Sequence, residues 1–536
     1  MSTSRSGRRS DRQPSRRTRI RAGIVLAAAA ALTVACSSSG PASTPETSAV
    51  DTEATLRIGY VGPVPSLDPT QQRLGGEQGA TFLLYDRLMQ LGNDFEVKPM
   101  LATSWEFAPD GSYLELKLRE GITFHDGTPV DATAVKASLE RSKTAPGSTV
   151  AQSLSDIKSV EVIDPTTVRL VLEPGRGAGL PTILTSNAGE IMSAKAIADG
   201  RDLALAPGDA GSGPYLVSEF KPNEIVVFER APRPYWDSDA AKIKRIEIRY
   251  MPQASVGLNA LRSGQLDMVL TTAADVQSVQ KLAETGAVNK SEFSLLTPSH
   301  ALFMHTDHPA FSDPQVRAAI SQAIDREAIC RDLLAGNCDP RIQPYASNHW
   351  AYVKELDEQL TFTPEQAQQT LADAGVAGVR FPLVFTAGSS YESVAQVVQS
   401  QLAQAGITVD LMPLPSAEAF TGFREGRYPA YLTTVTASAE PSQLMDTQFL
   451  GGYNAADAIR DVVTPIAEQA DKPGLSREER AKLYGQIWAE VNKATTLIPI
   501  ISNKVAWAYS PKVHGVDEMP WSWSGGFELR YLTVTR

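Results

Sequence analysis

Three of the six histidines, His300, His305 and His308, fall within nine residues, with Asp307 among them. Imidazole is a common ligand of Ni2+ and Zn2+. The run Ala301-Leu302-Phe303-Met304 reads as a strand, however, which sets His300 and His305 on opposite faces about 16 Å apart. No metal site is expected from them. Ser155-Asp156-Ile157-Lys158 matches the S-x-x-K of penicillin-recognising enzymes, in which a lysine activates the serine. The accompanying elements are out of order: Lys143-Thr144-Ala145 precedes the serine and has no closing glycine. The chain holds no G-x-S-x-G elbow, no H-E-x-x-H pair and no P-loop. Gly211-Ser212-Gly213 runs into Pro214, which suits a turn more than a phosphate cradle. These residues predict neither an enzyme nor a bound cofactor.

The cysteines carry a different chemistry. Arginines 5, 8, 9, 12, 16, 17, 19 and 21 precede an apolar run from Ala22 to Ala35, and Cys36 follows. Fourteen apolar residues make about 21 Å of helix, short of the ~30 Å hydrocarbon core but right for a signal peptide. Leu32-Thr33-Val34-Ala35-Cys36 resembles a bacterial lipobox, which implies a signal peptide over 1–35 and a lipidated Cys36. Ser15-Arg16-Arg17 is a weak match to a twin-arginine signal. Residues 36–51, rich in Ser, Thr and Pro, read as a flexible tether. An extracytoplasmic setting follows, anchored to the outer face of the cell membrane. In an oxidising compartment Cys330 and Cys338, one short loop apart, are expected to form a disulfide.

Composition narrows the classes further. The 536 residues are 42% hydrophobic and 21% charged, a balance that supports a large buried core. The net charge is −11; residues 1–35 contribute +7 from eight arginines and one aspartate, so the remainder carries −18. So acidic a body lacks the basic face that nucleic acid requires.

Alternating strands are predicted at 55–60, 113–118 and 167–172. Asp126-Gly127 marks a turn, and Asp131 caps a helix containing Val135 and Leu139. Ser312-Asp313-Pro314 starts a second helix, with Ser312 as a cap and Val316, Ala319, Ile320, Ala323 and Ile324 on one apolar face. Another helix over 394–405 leads to a strand at 407–411. Such irregular alternation predicts large mixed α/β lobes.

Several ordered motifs over 55–536 carry a family resemblance. The densest runs from Leu101-Ala102-Thr103-Ser104-Trp105-Glu106-Phe107-Ala108-Pro109-Asp110-Gly111 through Gly121-Ile122-Thr123-Phe124-His125-Asp126-Gly127-Thr128-Pro129-Val130. The others are Ser66-Leu67-Asp68-Pro69, Gly211-Ser212-Gly213-Pro214-Tyr215, Pro234-Tyr235-Trp236, and Phe311-Ser312-Asp313-Pro314 running into Ala323-Ile324-Asp325-Arg326-Glu327. Together they resemble the large extracytoplasmic solute-binding proteins of ABC importers, the oligopeptide/dipeptide/nickel-binding family 5.

The resemblance implies a two-lobed α/β fold with mixed sheets, a hinge and an inserted domain. The first lobe would comprise 52–88, 209–300 and 505–536, the insert 89–208, and the second lobe 301–504. Trp105 would be a core anchor of the insert and His125 a surface turn residue. The implied function is capture of a peptide-like solute by closure of the lobes and delivery to the transmembrane subunits of an ABC permease, the protein being a monomer. A nickel or other metal-chelate cargo is the alternative within the family; an extracytoplasmic hydrolase is the reading outside it. Ligand contacts are expected from Tyr60, Pro65 and Ser66 in the first lobe, and from Tyr391, Tyr431, Glu440 and Tyr453 in the second. Trp521 and Trp523 lie near the returning C-terminal strand. Peptide-binding members carry Asp-Tyr-x-Asp-Pro with an ammonium-binding aspartate; here the stretch reads Ala437-Ser438-Ala439-Glu440-Pro441, leaving Glu440 as the candidate anchor.

Overall fold

The computed structural model describes residues 49–73, 75–272, 275–293, 298–359, 361–376, 378–453, 457–520 and 526–536. The signal segment, Cys36, the tether up to residue 48, Trp521 and Trp523 lie outside these. Pairing begins earlier than the tether reading placed it: Val50 bridges Thr535, and the Asp51 N–H donates to the Val534 carbonyl at 2.7 Å. The C-terminal segment, itself paired with Val513 and His514, gives these residues partners that composition does not reveal.

In chain order, β1 (Thr55–Tyr60) is followed by β2 (Ala102–Phe107), β3 (Tyr113–Leu118), β4 (Ile157–Asp164) and β5 (Thr167–Leu172). Next come β6 (Tyr215–Lys221), β7 (Ile225–Arg230), β8 (Arg245–Tyr250), β9 (Met268–Leu270) and β10 (Asn289–Phe293). The chain then crosses to β11 (Ser299–Met304), β12 (Cys338–Pro340), β13 (Arg380–Thr386), β14 (Thr408–Leu414), β15 (Ala430–Val435) and β16 (Leu497–Asn503). It crosses back into β17 (Val505–Tyr509).

These strands form three larger sheets. A seven-stranded sheet has the order β10-β17-β9-β1-β8-β7-β6, a six-stranded sheet β12-β16-β11-β15-β13-β14, and a four-stranded sheet β2-β3-β5-β4. The first two are mixed: β1 runs parallel to β8 and β9 but β17 opposes β9, while β13 runs parallel to β14 and β15 but β11 opposes β15. The four-stranded sheet is antiparallel throughout, as short connections require. The described residues, from 49 on, cluster as one compact unit.

Local chemistry explains the elements. β3 and β5 bury every second residue, Leu114, Leu116, Val168 and Leu170 among them, against the helix Ala132–Thr144, whose first turn Asp131 caps through the Ala134 N–H. The helix Pro314–Gln322 buries Val316, Ala319 and Ile320. Its cap is Asp313, which accepts from the Gln315 N–H at 2.8 Å, and not Ser312, because the proline fixes the first helical position directly after the aspartate. Both faces of the six-stranded sheet are covered. Leu302, Leu383 and Leu432 pack on one side, and Phe303, Val384, Tyr431 and Trp488 on the other. Cys330 and Cys338 are joined by a disulfide beside β12.

Two readings of the dense motif change. Trp105 packs against the core of its sheet, as a core anchor would, but is only half-buried and also lines a groove with Phe107 and Tyr113, because β2 is the edge strand. His125 is not a free surface turn. Its backbone N–H donates to the Gly211 carbonyl at 2.9 Å and its Nε2 lies 2.8 Å from the Gly213 carbonyl, tying the hairpin turn to the Gly211-Ser212-Gly213 loop. Gly213 is itself pressed against another backbone segment, since a Cβ there would stand 2.6 Å from the Leu84 carbonyl carbon.

Candidate solute cleft

The two large sheets are joined by the crossings β10–β11 and β16–β17, and strand direction fixes which edges meet there. β1, β8 and β9 end together at Tyr60, Tyr250 and Leu270, where antiparallel β17 begins and β10 ends. On the other sheet, Ser299 pairs with Val435 and Ser502, so β11 begins where β15 and β16 end. β13 runs parallel to β15 and ends on that side at Thr386. Both sheets thus present the carboxyl ends of their parallel strands toward the crossings, the place where open α/β sheets bind ligands.

Tyr60, the last residue of β1, stands at this edge. Its hydroxyl accepts from the Gly76 N–H at 3.0 Å and its ring meets Phe527 edge-on at 6.2 Å. Burial pushes its phenol up to about 12. Gly76 is required by close approach: a Cβ would fall 1.8 Å from the Tyr60 ring. Pro65 is exposed in the loop that follows. Ser66 turns inward. Its hydroxyl donates to Gln71 Oε1 at 2.8 Å and accepts from the Asp68 N–H at 3.1 Å. Asp68 in turn caps the short turn at Pro69–Gln71 and pairs with Arg141 of the helix Ala132–Thr144. Ser66 is therefore a turn residue and not the solute contact expected.

On the facing edge, Tyr391 opens the helix Tyr391–Gln404 and lies 5.0 Å from the ring of His300, the second residue of β11. His300 is 3% exposed, with Nε2 3.3 Å from Asn503 Nδ2. Burial holds its imidazole down at about 4, so the ring is neutral at physiological pH. Sequence reasoning weighed His300 only with His305 and His308, and the structure separates the three. His305 Nε2 is 2.6 Å from the Phe423 carbonyl, and His308 Nδ1 accepts from the Ala310 N–H. Tyr453 is half-buried, 4.9 Å from Phe303 and 5.2 Å from Phe420. Tyr431, 3% exposed, is wedged between Tyr453 and Phe423 and serves the core, because the β15 pleat points it at the packed face.

Glu440 is fully buried, and its carboxylate is already used. Arg480 donates to Oε1 at 2.5 Å and to Oε2 at 3.2 Å, the Ser442 N–H donates to Oε1, and the Arg480 Nε donates to the Ala470 carbonyl. A bidentate pair with its remaining lone pair capped leaves no free charge for a ligand ammonium. The structure thus reassigns Glu440 from solute anchor to internal ion pair. Its partner, forty positions along the chain on the helix Arg477–Ala494, gave no local signal.

Residues 96–456 match the model of the bacterial extracellular solute-binding proteins, family 5, middle region. The chain belongs to this family. Among relatives, the glutathione-binding protein GsiB of Salmonella paratyphi A is 24% identical over 476 residues, covering 85% of this chain and 90% of its own. Heme-binding protein A of Haemophilus influenzae is 25% identical and covers 94% and 98%. Among solved structures, NikA from Brucella suis in complex with Fe(III)-EDTA superposes with a TM-score of 0.79 at 23% identity, covering 90% of this chain and all of its own. DppA from Helicobacter pylori in complex with the peptide STSA gives 0.73 at 22%, covering 90% and 98%. These structures are two-lobed periplasmic binding proteins, and the family 5 fold of this chain is the same mixed α/β architecture.

Proposed function

We propose that this family 5 protein captures a peptide-like solute outside the cell membrane and delivers it to an ABC permease by closing two lobes over it. One observation carries the reading: two mixed sheets, joined by two short crossings, face each other with the carboxyl ends of their parallel strands. A ligand shifts such a hinge only by its extra affinity for the closed form, so it must touch both edges. Tyr60 and Pro65 on one side, and Tyr391 and Tyr453 on the other, supply aromatic and apolar area of the kind that binds organic solutes. The names of the relatives, which bind glutathione, heme and a peptide, support an organic cargo.

The lobes of this reading are the segments 52–88, 209–300 and 505–536 against 301–504, with 89–208 inserted. Lipidation of Cys36 would hold the protein at the outer membrane face beside its permease, and Cys36→Ser would then release it from membranes.

Native mass spectrometry of protein purified without denaturation tests the cargo. A small organic mass that leaves on unfolding, and whose re-addition protects both crossings from hydrogen exchange, is the expected result. A chelated metal in its place would move the cargo to the metal-chelate class. Protection confined to one lobe would end the closure reading.

A further inference from the structure

Three of the sequence motifs, far apart in the chain, wall one cavity that the cleft does not use. It holds about 300 Å³, at the lower end of the volumes that take small organic ligands. Thr123 and His125 of the dense motif stand on one side, Ser212 and Pro214 on a second, and Arg233 and Trp236 on a third. Strand pairing separates the cavity from the cleft. The Ala231 N–H donates to the Pro214 carbonyl just beyond the paired residues Tyr215 and Arg230. Glu229 pairs with Arg245, and Arg245 with Thr55, so the cavity stands at the amino end of β1 and β8. Tyr60 and the cleft edge lie at the other end of β1, about 17 Å along the strand.

Arg233 supplies the charge in this wall, and no carboxylate answers it. Half-buried, it donates from Nη1 to Thr123 Oγ1 at 2.6 Å and to the Phe124 carbonyl at 2.9 Å, and from Nη2 to the Thr123 carbonyl at 2.5 Å. Three of its five N–H groups are thereby fixed. The Nε–H and one Nη2–H are uncommitted among the described residues, and Nε is not sealed from solvent. No Asp or Glu lines the cavity. The acids that act on Arg233 from farther off are spent elsewhere: Asp86 on Arg530, Tyr235 and the Trp236 indole, Asp126 on Thr128 and Ser193. Burial lowers the Arg233 pKa from the ordinary guanidinium value, and Asp86 and Asp126 offset only part of that. The aromatic wall is held in place. Trp236 donates its indole N–H to Asp86 at 3.2 Å, and Arg119 lies over its ring at 4.3 Å. The Arg119 Nε donates to the Met100 carbonyl, so this second guanidinium also has no carboxylate partner among the described residues. Fixed donors beside a fixed ring need little ordering when a ligand arrives.

We propose that this cavity binds a small organic anion, its carboxylate or phosphate group on Arg233 and its flat body against Trp236. Two free N–H donors on neighbouring nitrogens match two oxygens of either acid group. Ile122, Pro214, Ala231 and Pro234 supply apolar area for the body. Because the cleft edge lies at the opposite end of β1, this anion does not compete with a solute held there.

Calorimetry on the whole chain tests this with benzoate, phenyl phosphate and benzyl alcohol at constant ionic strength. At least one of the two anions should bind saturably, in the millimolar range or tighter. Benzoate alone assigns a carboxylate ligand, phenyl phosphate alone a phosphate, and both together either acid group. Benzyl alcohol, which has the ring without the charge, should bind about tenfold or more weakly, and Arg233→Gln should weaken the anion by a similar factor. Hydrogen exchange locates the site in the wild type, so the test stands even if that variant fails to fold: the amides of 121–125 and 231–236 should slow with the anion bound. No saturable binding, equal binding of benzyl alcohol, an Arg233→Gln variant that binds like the wild type, or protection confined to the two crossings would each overturn the proposal. Arg233 would then be a clamp on the Thr123 turn, and the cavity a pocket of water.

Discussion

Arg530 and Asp86 stand 444 positions apart in the chain and 2.7 Å apart in the fold, both completely buried. Arg530 also donates to Glu528 at 2.7 Å and to the Phe82 and Tyr85 carbonyls, while Asp86 accepts from Ser212, Tyr235 and the Trp236 indole. One carboxylate thus gathers the Gly211-Ser212-Gly213 loop, the Pro234-Tyr235-Trp236 motif and the returning C-terminus. Those motifs are where they are because they share a buried charge.

Removing one partner from such a network leaves the other charge desolvated and unpaired, which typically costs 3–5 kcal/mol. Asp86→Ala should lose about that much in urea unfolding, with an unchanged slope against denaturant. Asp86→Asn deletes the charge and turns one accepting oxygen into a donor, but keeps the hydrogen bonds to the other oxygen, and should lose somewhat less. Equal losses for the two would mean that the charge alone, and not the hydrogen bonds asparagine can keep, holds the C-terminus.

Glu190 makes a pH prediction of definite sign. It is 1% exposed, its Oε1 accepts from Thr81 at 2.7 Å, and Oε2 has no partner among the described residues. Burial pushes its carboxyl up to about 8. The folded state then keeps a proton that the unfolded chain releases above about 4.5, so stability declines as pH rises from there through about 8. Glu190→Gln cannot titrate and should flatten the fall in Tm over that window. An identical pH profile in the variant would show that the site is ionised in the fold.

The Glu440–Arg480 pair separates a structural role from a binding one. Glu440→Gln should destabilise the fold by a few kcal/mol, because Arg480, with a side chain 9% exposed, loses its countercharge. Arg480→Met in the same background should recover part of that loss, since the two residues form one interaction. Solute affinity per folded molecule should change little, and acetylating the amino group of a peptide ligand should matter no more in the variant than in the wild type. A selective loss of affinity for free amino termini, with stability intact, would return Glu440 to the cleft.

How much of this was legible beforehand depends on reach along the chain. β1, β3 and β5 begin and end where side-chain alternation puts them, and the Asp131 cap is a three-residue signal. The family motifs were equally readable, yet they mark turns and docking contacts: Ser66 and His125 spend their polar atoms inside the protein. Glu440 looked free because its partner lies on a distant helix, and Arg176 reaches Asp446 across 270 positions of the chain. Local patterning finds strands and caps; it does not find the charge that long-range folding brings to a carboxylate.

The cleft itself can be probed through a residue beside a proposed contact. Gly76 lies against the Tyr60 ring so closely that a methyl group would displace it, the ring atom Cε1 being 1.8 Å from the position of a Cβ. The Gly76 N–H is also the donor to the Tyr60 hydroxyl. Gly76→Ala should therefore swing the ring out of place, while Tyr60→Phe keeps the ring and forfeits a single hydrogen bond, about 1 kcal/mol. If Tyr60 packs on the solute, Gly76→Ala should weaken binding more than Tyr60→Phe does, and Tyr60→Ala should match or exceed it through lost aromatic area. Calorimetry with the cargo identified by mass spectrometry measures all three. Should Gly76→Ala and Tyr60→Ala both bind as the wild type does, the carboxyl end of β1 is not a wall of the cleft, and the solute sits nearer to Tyr250 and Leu270 on the same edge.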